Sequence, residues 1–383
     1  MKVLFVAPRF HTNQVPLVKA LQRAGHDVVF DVLTVGGSED HTDLQPNVIE
    51  PSPLSNLLMR WRAPSNPVAY HGDYSFPNLT TYLRRLRVLA PDAVIVRDPN
   101  RPFALTAAIA SRLLGLRLVL YTQGPVHAPR HRRKDLIRSL VISLFDAPWF
   151  SPVSGDPSLP RTHPNMHYLP FVADPSRAPK AEWFRGGHVN ILSIGKFMPR
   201  KNHLLLLEAF AAVAREHDVR LTIVGETSTN EHQSHHQEVL RRIDRLGLGE
   251  QVRVFTNVPF ESIGQLYRTH DLFVLPSRDE PAGVSILEAM AHSVPVICGT
   301  TSGTRWYIEP GRSGFVFESD DYEDLRVTMT EAVSDRSALV RMGEHGRHLA
   351  STVHHPETVG TRFLEIVYQR RPPHARRRVE EAS

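Results

Sequence analysis

The chain has 383 residues, of which 41% are hydrophobic and 22% charged, and its formal net charge is +5. This is the composition of a globular protein of about two domains, and it argues against a disordered chain. The moderate positive charge fits anionic ligands or a membrane surface, but it is too weak to indicate nucleic acid by itself. The single cysteine, Cys298, excludes an intrachain disulfide and a cysteine-based zinc site, and it fits a reducing compartment.

The N-terminus, MKVLFVAPRF, predicts a first β-strand, because its apolar run is too short for a signal peptide. The sequence has no run of about 18 or more apolar residues, so no membrane-spanning helix is expected. Strands then alternate with helices, which predicts parallel β-α-β units. Predicted strands cover 2–8, 27–33, 93–97 and 117–122, and predicted helices cover 13–25 and 103–115. Residues 38–80 are irregular and proline-rich, and no element is predicted there.

The alternation restarts in the second half of the chain. Predicted strands cover 189–195, 220–225, 252–255, 271–276 and 294–299, and a predicted helix covers 204–216. We therefore predict an α/β protein with two Rossmann-like domains facing each other across a cleft, the usual place for a nucleotide. The predicted N-terminal domain covers 1–172, the linker 173–188 and the C-terminal domain 189–355. An amphipathic final helix is predicted at 356–370 and a disordered tail at 371–383.

Residues 279–290, DEPAGVSILEAM, place two glutamates around a small-residue turn after a predicted strand. A helix starting at about Val284 would put Glu280 on the loop, Gly283 at the helix N-terminus and Glu288 just over one turn inside. Free backbone N–H groups at a helix N-terminus bind anions, and a carboxylate can accept hydrogen bonds from ribose hydroxyls. On spacing alone, the pattern also fits an ordinary strand-loop-helix with solvated glutamates.

Residues 195–203, GKFMPRKNH, follow another predicted strand directly. Gly195 permits a tight turn, and Lys196, Arg200 and Lys201 bring three cations to the carboxyl end of that strand. Such a cluster suits charge-assisted bonds to a diphosphate, although taken alone it also fits a solvated basic loop.

Taken together, these segments resemble the retaining nucleotide-sugar glycosyltransferases of the GT-B fold, specifically glycosyltransferase family 4, the group 1 glycosyltransferases. The resemblance covers most of the second half. It rests on GKFMPRKNHLLLLEAF, LTIVGE, the glutamate pair and VPVICGTTSGTRWYIEPGRSGFVF. It implies the GT-B fold, with the final helix crossing back to the N-terminal domain. It also implies metal-independent transfer of a sugar from a nucleoside diphosphate.

The resemblance implies a role for each matching position. Glu280 faces the donor sugar, Glu288 binds ribose and Lys201 binds the diphosphate. Lys196 stands where the family usually has arginine, so it keeps the charge and loses the bidentate fork. The family usually has an aromatic residue where Ala282 stands and glycine where Ser293 stands. The implied catalytic residues are Glu280, Lys201, Lys196 and His127, and the implied donor-binding residues are Glu288, Gly283, Val284, Ala282, Gly195, Arg200, Asn257 and Val258.

The first half matches the family less well. The family often has a glycine-rich loop after the first strand, and here PRFHTNQVP has no glycine. Gln123 stands where the family often has histidine, and nearby His127 is the candidate replacement, with His11 as another. Each histidine also fits a simple solvated side chain. Residues 127–145 form a basic lead into an apolar stretch, which fits contact with an anionic membrane or an ordinary buried helix.

Three histidines, His232, His235 and His236, cluster in EHQSHHQE, which is interpreted as a polar loop. A metal site there is the weaker alternative, and no metal is expected in the protein.

The predicted function is retaining transfer of a hexose-type sugar, from a UDP- or GDP-linked donor, to a glycan or lipid-linked acceptor in cell-surface polysaccharide or lipopolysaccharide biosynthesis. No further cofactor and no nucleic acid partner are expected. The predicted location is the cytoplasm, with peripheral contact at the inner face of the membrane. The alternatives are a nucleotide-sugar 2-epimerase, an inverting transferase, or a non-catalytic nucleotide-sugar-binding protein, for which Gln123 and the missing glycine loop are the best support.

Overall fold

The structure is a computed structural model that describes residues 1–10, 14–35, 44–62, 74–129, 145, 147–173 and 180–368. The described residues form two α/β units, and each unit is built around a sheet in which all recorded strand pairs are parallel. This confirms the predicted fold class. None of the described helices is both long enough and apolar enough to cross a membrane.

The first unit contains seven described strands. They are β1 (Lys2–Val6), β2 (Asp27–Val32), β3 (Asn47–Val48), β4 (Ala93–Arg97), β5 (Arg117–Tyr121), β6 (Trp149–Ser151) and β7 (Met166–Tyr168), in the order β3-β2-β1-β4-β5-β6-β7. Its described helices include α1 (Val15–Arg23), α2 (Pro53–Arg62), α3 (Leu79–Leu89) and α4 (Pro102–Leu113). Strands β1, β4 and β5 are buried almost throughout, as parallel strands covered on both faces must be.

The second unit contains six described strands. They are β8 (Val189–Ile194), β9 (Val219–Gly225), β10 (Val252–Thr256), β11 (Leu272–Leu275), β12 (Val296–Gly299) and β13 (Gly314–Phe317), in the order β10-β9-β8-β11-β12-β13. Its helices are α5 (His203–Val213), α6 (Asn230–Leu246), α7 (Phe260–Thr269), α8 (Val284–Ala291), α9 (Tyr322–Ser334) and α10 (Arg336–Thr352). The order of the strands reverses at β8 and β11, so the loops after these strands border the crevice where α/β sheets bind ligands.

The last described helix, α11 (Pro356–Tyr368), returns to the first unit. Phe363 stacks on Phe5 of β1 with ring centroids 5.7 Å apart, and it meets the Phe150 ring edge-on at 5.9 Å. Val359, Phe363 and Val367 are buried in the same core cluster as α1. This confirms the predicted crossing of the final helix to the N-terminal unit.

The structure corrects two interpretations. The proline-rich region 38–80 contains β3, α2 and the start of α3, which short length and prolines concealed in the sequence. The histidines of EHQSHHQE lie in helix α6 and not in a loop. Thr229 caps this helix by accepting a hydrogen bond from the His232 amide at 3.2 Å. Strands β6, β7 and β13 were also not predicted, because three or four residues carry no readable period.

A buried ion pair fixes the described end of the segment that enters the second unit. Lys180 Nζ lies 2.7 Å from Asp271 Oδ1, and both side chains are 1% exposed. The other Asp271 oxygen, Oδ2, accepts hydrogen bonds from the backbone and the side chain of Asn190, at 2.9 and 3.1 Å. Trp183 covers the ammonium group, whose nitrogen lies 4.1 Å from the ring centroid. Asp271 therefore joins this segment to β8 at the edge opposite the crevice.

We predict that Asp271→Ala lowers the free energy of unfolding by about 3–5 kcal/mol, because it leaves the Lys180 ammonium buried without its carboxylate. Denaturant unfolding measures this change. The matched control is Asp218→Ala, which removes a carboxylate that forms an exposed pair with Arg220. The control should change stability by less than about 1 kcal/mol. Equal effects of the two variants would contradict the assignment.

Candidate functional site

The candidate site lies at the carboxyl ends of the strands of the second sheet. Three loops are joined there by backbone hydrogen bonds. The Arg278 amide donates to the Arg200 carbonyl at 2.8 Å, which connects the loops after β11 and β8. The Gly303 amide donates to the Glu280 carbonyl at 2.8 Å, which connects the loops after β12 and β11. The backbone therefore places residues from distant parts of the sequence at one edge of the sheet.

Glu280 is the centre of this arrangement. One of its carboxylate oxygens, Oε2, lies 2.5 Å from Lys201 Nζ and 2.8 Å from Arg200 Nη1. The Glu280 side chain is 8% exposed, so it needs this compensation. Burial raises the pKa of Glu280, but the charges and hydrogen bonds of Lys201 and Arg200 outweigh burial and hold it below its ordinary value. The carboxylate is therefore ionised at neutral pH.

Gly195 gives Lys201 the space to reach Glu280. A Cβ atom at position 195 would lie 3.0 Å from Cδ and 3.2 Å from Cε of Lys201. The lysine side chain thus passes directly over the glycine. The sequence analysis attributed Gly195 to a tight turn, and the structure adds this close approach of the Lys201 side chain.

Helix α8 begins at Val284, as predicted, and Gly283 is its N-cap residue. A Cβ atom at Gly283 would lie 2.7 Å from Leu275 Cδ2, and thus against the protein interior. Gly283 therefore lies in close contact with the Leu275 side chain of β11. Ala282 and Val284 flank the cap and are partly buried. Because α8 follows β11, its N-terminus lies at the carboxyl ends of the strands, on the crevice side of the sheet.

Glu288 lies one turn inside α8. Its Oε2 atom accepts a hydrogen bond from the Tyr267 hydroxyl at 3.0 Å. The Tyr267 ring is buried and stacks on His292, with ring centroids 5.1 Å apart. Tyr267 is a positioning residue that the sequence analysis did not identify. It was not identified because, in the sequence of an amphipathic helix, a tyrosine in this position cannot be distinguished from an ordinary core residue.

Lys196, Asn257 and Val258 lie on the β9–β10 side of the site. Lys196 Nζ lies 3.0 Å from Glu226 Oε2, so it does not join Lys201 at Glu280. Glu226, which follows β9, was also missed by the sequence analysis. Asn257 has a left-handed backbone, with φ of 52°, and exchanges two hydrogen bonds with Thr227, at 2.9 and 3.0 Å. Val258 packs partly against the core beside α8.

The loop after β12, in the second unit, is the part of this site that contacts the N-terminal unit. Tyr307 donates a hydrogen bond to the Pro152 carbonyl at 2.8 Å and accepts one from the Phe171 amide at 3.0 Å. A Cβ atom at Gly303 would lie 2.2 Å from the Pro281 carbonyl oxygen and 3.1 Å from Val153 Cγ2. The loop that bonds the Glu280 backbone is therefore packed directly against the N-terminal unit.

His127 and Gln123 lie on the facing side. The His127 ring is held through Nδ1, 2.9 Å from the Leu159 carbonyl oxygen, and Gln123 donates weakly to the Tyr121 hydroxyl at 3.4 Å. Hydrogen bonds from Ser158, together with the charges of Arg305 and His127, lower the pKa of Asp156. His11, and most of the basic stretch 127–145, lie outside the described residues.

In the described part of the chain, no three His, Cys, Asp or Glu side chains are grouped to hold a metal ion. His235 and His236 instead pack beside His203 and Phe197, respectively, with ring centroids 5.8 and 4.7 Å apart. Metal independence stays a prediction.

The two facing α/β units and their returning helix define a GT-B protein. The fold is similar to that of a glycosyltransferase from Rickettsia africae, with a TM-score of 0.73, 16% identity, and coverage of 96% of this chain and 98% of that one. Residues 178–349 match the sequence model described as "Glycosyl transferases group 1". This match spans β8 to β13 and most of α10.

Two relatives show the range of the similarity. Mannosylfructose-phosphate synthase of Agrobacterium fabrum is 28% identical over 55% of this chain and 46% of its own length. The GDP-mannose-dependent alpha-(1-6)-phosphatidylinositol monomannoside mannosyltransferase of Mycolicibacterium smegmatis is 27% identical over 70% of this chain and 75% of its own length. The chain thus spans about half the length of the first relative and three quarters of the second.

We predict that Lys201→Ala raises the pKa of Glu280, because burial is then opposed by Arg200 alone. Carboxyl ¹³C NMR measures the titration. Lys196→Ala is the matched control and should leave the Glu280 titration unchanged, because Lys196 pairs with Glu226.

The direction in which stability changes with pH follows from the lowered pKa of Glu280 in the wild type. The ion pair stabilises the fold above the ordinary pKa of glutamate, and this stabilisation is lost as the pH falls through the lowered pKa. In Lys201→Ala this loss should begin at a higher pH. Equal shifts in the two lysine variants would show that general positive charge, and not direct contact, sets the titration.

Proposed function

We propose that this protein transfers a hexose-type sugar from a nucleoside-diphosphate sugar to a glycan or glycolipid acceptor, with retention at the anomeric carbon. The observation that carries the proposal is the Glu280 carboxylate held between Lys201 and Arg200, at 2.5 and 2.8 Å, beside the N-terminus of α8. A sugar hydroxyl needs an acceptor and a diphosphate needs cations and free amides. This part of the site supplies all three.

The cations would exchange partners when the donor binds. Without a ligand, Lys201 and Arg200 both contact one oxygen of Glu280. A bound diphosphate would compete for these cations, and Glu280 would then accept hydrogen bonds from the donor sugar. The Lys201 side chain is 13% exposed and packs over Gly195, so it has little freedom to leave the site. It would therefore stay beside both the diphosphate and Glu280. Binding and orientation of the donor would thus rest on the same three side chains.

The same cations would assist the chemical step. When the bond between sugar and diphosphate breaks, negative charge develops on the leaving phosphate. Preorganised positive groups stabilise that charge without reorganisation. Lys201, Arg200 and the first amides of α8 are such groups, and they would do this without a metal ion. Lys196 would contribute only after exchanging Glu226 for the phosphate, because the two are 3.0 Å apart.

Glu288 would bind the ribose of the donor, and Asn257 and Val258 would lie against the base. The Tyr267 hydroxyl orients the Glu288 carboxylate, and Tyr267 is itself fixed by stacking on His292. These contacts apply equally to a UDP- and a GDP-linked sugar.

The acceptor would enter from the N-terminal unit, where the His127 ring is held through Nδ1, 2.9 Å from the Leu159 carbonyl oxygen. The relative from Mycolicibacterium is named for a lipid acceptor, which supports a lipid-linked acceptor here. Synthesis of surface polysaccharide or lipopolysaccharide, at the cytoplasmic face of the membrane, is the process we propose.

Detection of a new glycosidic linkage by mass spectrometry tests the class of reaction. The protein is incubated with UDP- and GDP-hexoses and with lipid-linked or glycan acceptors, without divalent metal. An epimerase would produce only an isomer of the donor, and a binding protein would produce neither. The anomeric configuration of the product, read by NMR, then separates retention from inversion.

We predict that Glu288→Ala weakens binding of the preferred nucleoside diphosphate by about tenfold to a hundredfold. This is the loss of affinity expected when hydrogen bonds from ribose to a charged carboxylate are removed. Thermal unfolding should be nearly unchanged. Calorimetric titration with UDP, GDP, ADP and CDP measures the affinities. Glu331→Ala, an exposed acidic position on α9, is the control and should bind as the wild type does. Tyr267→Phe should produce a smaller loss in the same direction. If Glu288→Ala unfolds the protein but keeps its nucleotide affinity, the ribose assignment is wrong.

Glu280→Gln keeps the size of the side chain and removes its charge. We predict that turnover at saturating donor falls by about a hundredfold or more, because the sugar is no longer oriented by a carboxylate. Nucleotide affinity should be kept or improved, because Lys201 and Arg200 are released from their intramolecular partner. The adjacent exposed variant Asp279→Asn is the control. Wild-type turnover in Glu280→Gln would overturn the assignment.

A further inference from the structure

Helix α2 has an apolar face that points away from the protein. Leu54, Leu57, Leu58 and Trp61 follow the i, i+3, i+4, i+7 spacing, so they share one side of the helix. Trp61 is 83% exposed and Leu57 is 66% exposed. The buried side of α2 is formed by other residues, Ser55 and Met59. An amphipathic helix in a globular protein normally turns its large apolar residues inward, and here many of them face out.

Helices α3 and α4 extend this pattern. They pack against each other and cover one face of the first sheet, where Tyr82, Leu86 and Phe103 are buried. Their outer sides carry further large apolar residues. Eight exposed residues of this kind lie on the three helices: Leu54, Leu57, Leu58, Trp61, Val88, Leu105, Ile109 and Leu113. The spacing of the last three, i, i+4 and i+8, forms a second stripe, on α4.

Helix α2 lies next to the start of α3. The Ser55 hydroxyl accepts a hydrogen bond from the Phe76 amide at 3.1 Å, and the Phe76 carbonyl accepts one from the Ser52 amide at 2.8 Å. Phe76 stands two residues before Asn78, which caps α3. Helix α2 is thus bonded to the segment that leads into α3, and α3 in turn packs against α4.

The charge of these helices has a single sign. The sequences of α2, α3 and α4 contain no aspartate or glutamate. They contain arginines on or beside the exposed apolar residues: Arg60, Arg84, Arg87 and Arg112. By contrast, each of the helices α5 to α11 contains at least one acidic residue. The arginines of α2, α3 and α4 are therefore not offset by any acidic residue within the same helices.

We propose that this surface, the outer face of α2, α3 and α4, docks the protein on an anionic lipid membrane. Leucine, valine and tryptophan side chains would enter the boundary between headgroups and acyl chains, where tryptophan is favoured. The arginines would bind acidic headgroups beside them. Contact with a second copy of the chain is disfavoured, because it would bring two arginine-rich faces together without an acidic group to compensate them.

This docking does not depend on sugar transfer, so the two proposals can fail separately. It would hold a lipid-linked acceptor and the N-terminal unit at the same surface. It also differs from the contact expected in the sequence for residues 127–145.

Sedimentation with lipid vesicles tests the proposal on the full chain. We expect the protein to bind vesicles of phosphatidylcholine mixed with an equal amount of phosphatidylglycerol, and to bind pure phosphatidylcholine much more weakly. The variant Leu57→Ser/Trp61→Ser should lower the partition coefficient on the mixed vesicles by about tenfold or more. Arg84→Glu/Arg87→Glu should lower it by about tenfold or more as well, and added salt should weaken the wild-type binding.

Two control variants on the second unit match these changes. Val327→Ser/Val353→Ser removes exposed apolar side chains, and Arg241→Glu/Arg245→Glu reverses the same number of exposed charges on α6. Both controls should bind the mixed vesicles as the wild type does. Denaturant unfolding of all four variants should match the wild type, which separates lost docking from lost folding.

Three results would overturn the proposal. The first is equal binding of the wild type to neutral and anionic vesicles, or to neither. The second is a loss of binding in the controls as large as the loss in the α2 and α3 variants. The third is a wild-type dimer, seen by sedimentation velocity, that Leu57→Ser/Trp61→Ser converts to a monomer, since the face would then join two copies of the chain.

Discussion

A buried carboxylate between two cations is the interaction on which the site depends. Glu280 is almost fully covered, and its charge is sustained by contact with Lys201 and Arg200, at 2.5 and 2.8 Å. Most of what surrounds it allows that contact. Gly195 leaves room for the lysine side chain, and the loops after β8, β11 and β12 are joined by backbone hydrogen bonds. An ion pair of this kind is costly to bury, which is why we propose a ligand-binding role for it and not a purely stabilising one.

The two units are joined by contacts that place the N-terminal unit close to this ion pair. Tyr307 bonds the Pro152 carbonyl and the Phe171 amide, while α11 packs Phe363 against Phe5. The loop that carries Tyr307 also bonds the Glu280 backbone. A change in the angle between the units would therefore be felt at the carboxylate, and the proposed transfer joins a donor on one unit to an acceptor on the other. The proposed docking face lies on the N-terminal unit, which fits an acceptor that stays in the membrane.

Local sequence predicted much of the fold because parallel strands buried on both faces are continuous apolar runs, and the helices between them are periodic. It failed where an element was too short to show a period, as in β3 and β6, or where polar letters concealed a helix, as in α6. The residues of the candidate site could be proposed from the sequence because the pattern around Glu280 and Glu288 is local and Lys201 is recognisable on its own loop. Tyr267 and Glu226 were missed because their roles depend on partners 21 and 30 residues away, respectively.

The sequence by itself determined the α/β class, the start of α8 and the identity of the charged residues at the site, since each depends on neighbours along the chain. Only the tertiary structure decided how those charges pair. In the structure Glu280 forms ion pairs with Lys201 and Arg200, and Glu226 forms an ion pair with Lys196. The sequence does not show this division, because the three cations lie within seven residues of one another. The tertiary structure also decided that Gly195 lies against the Lys201 side chain and Gly283 against Leu275, and that exposed apolar residues and arginines occur together on α2, α3 and α4. Contacts between distant segments are set by how strands are ordered in a sheet, and that order is not readable from local spacing.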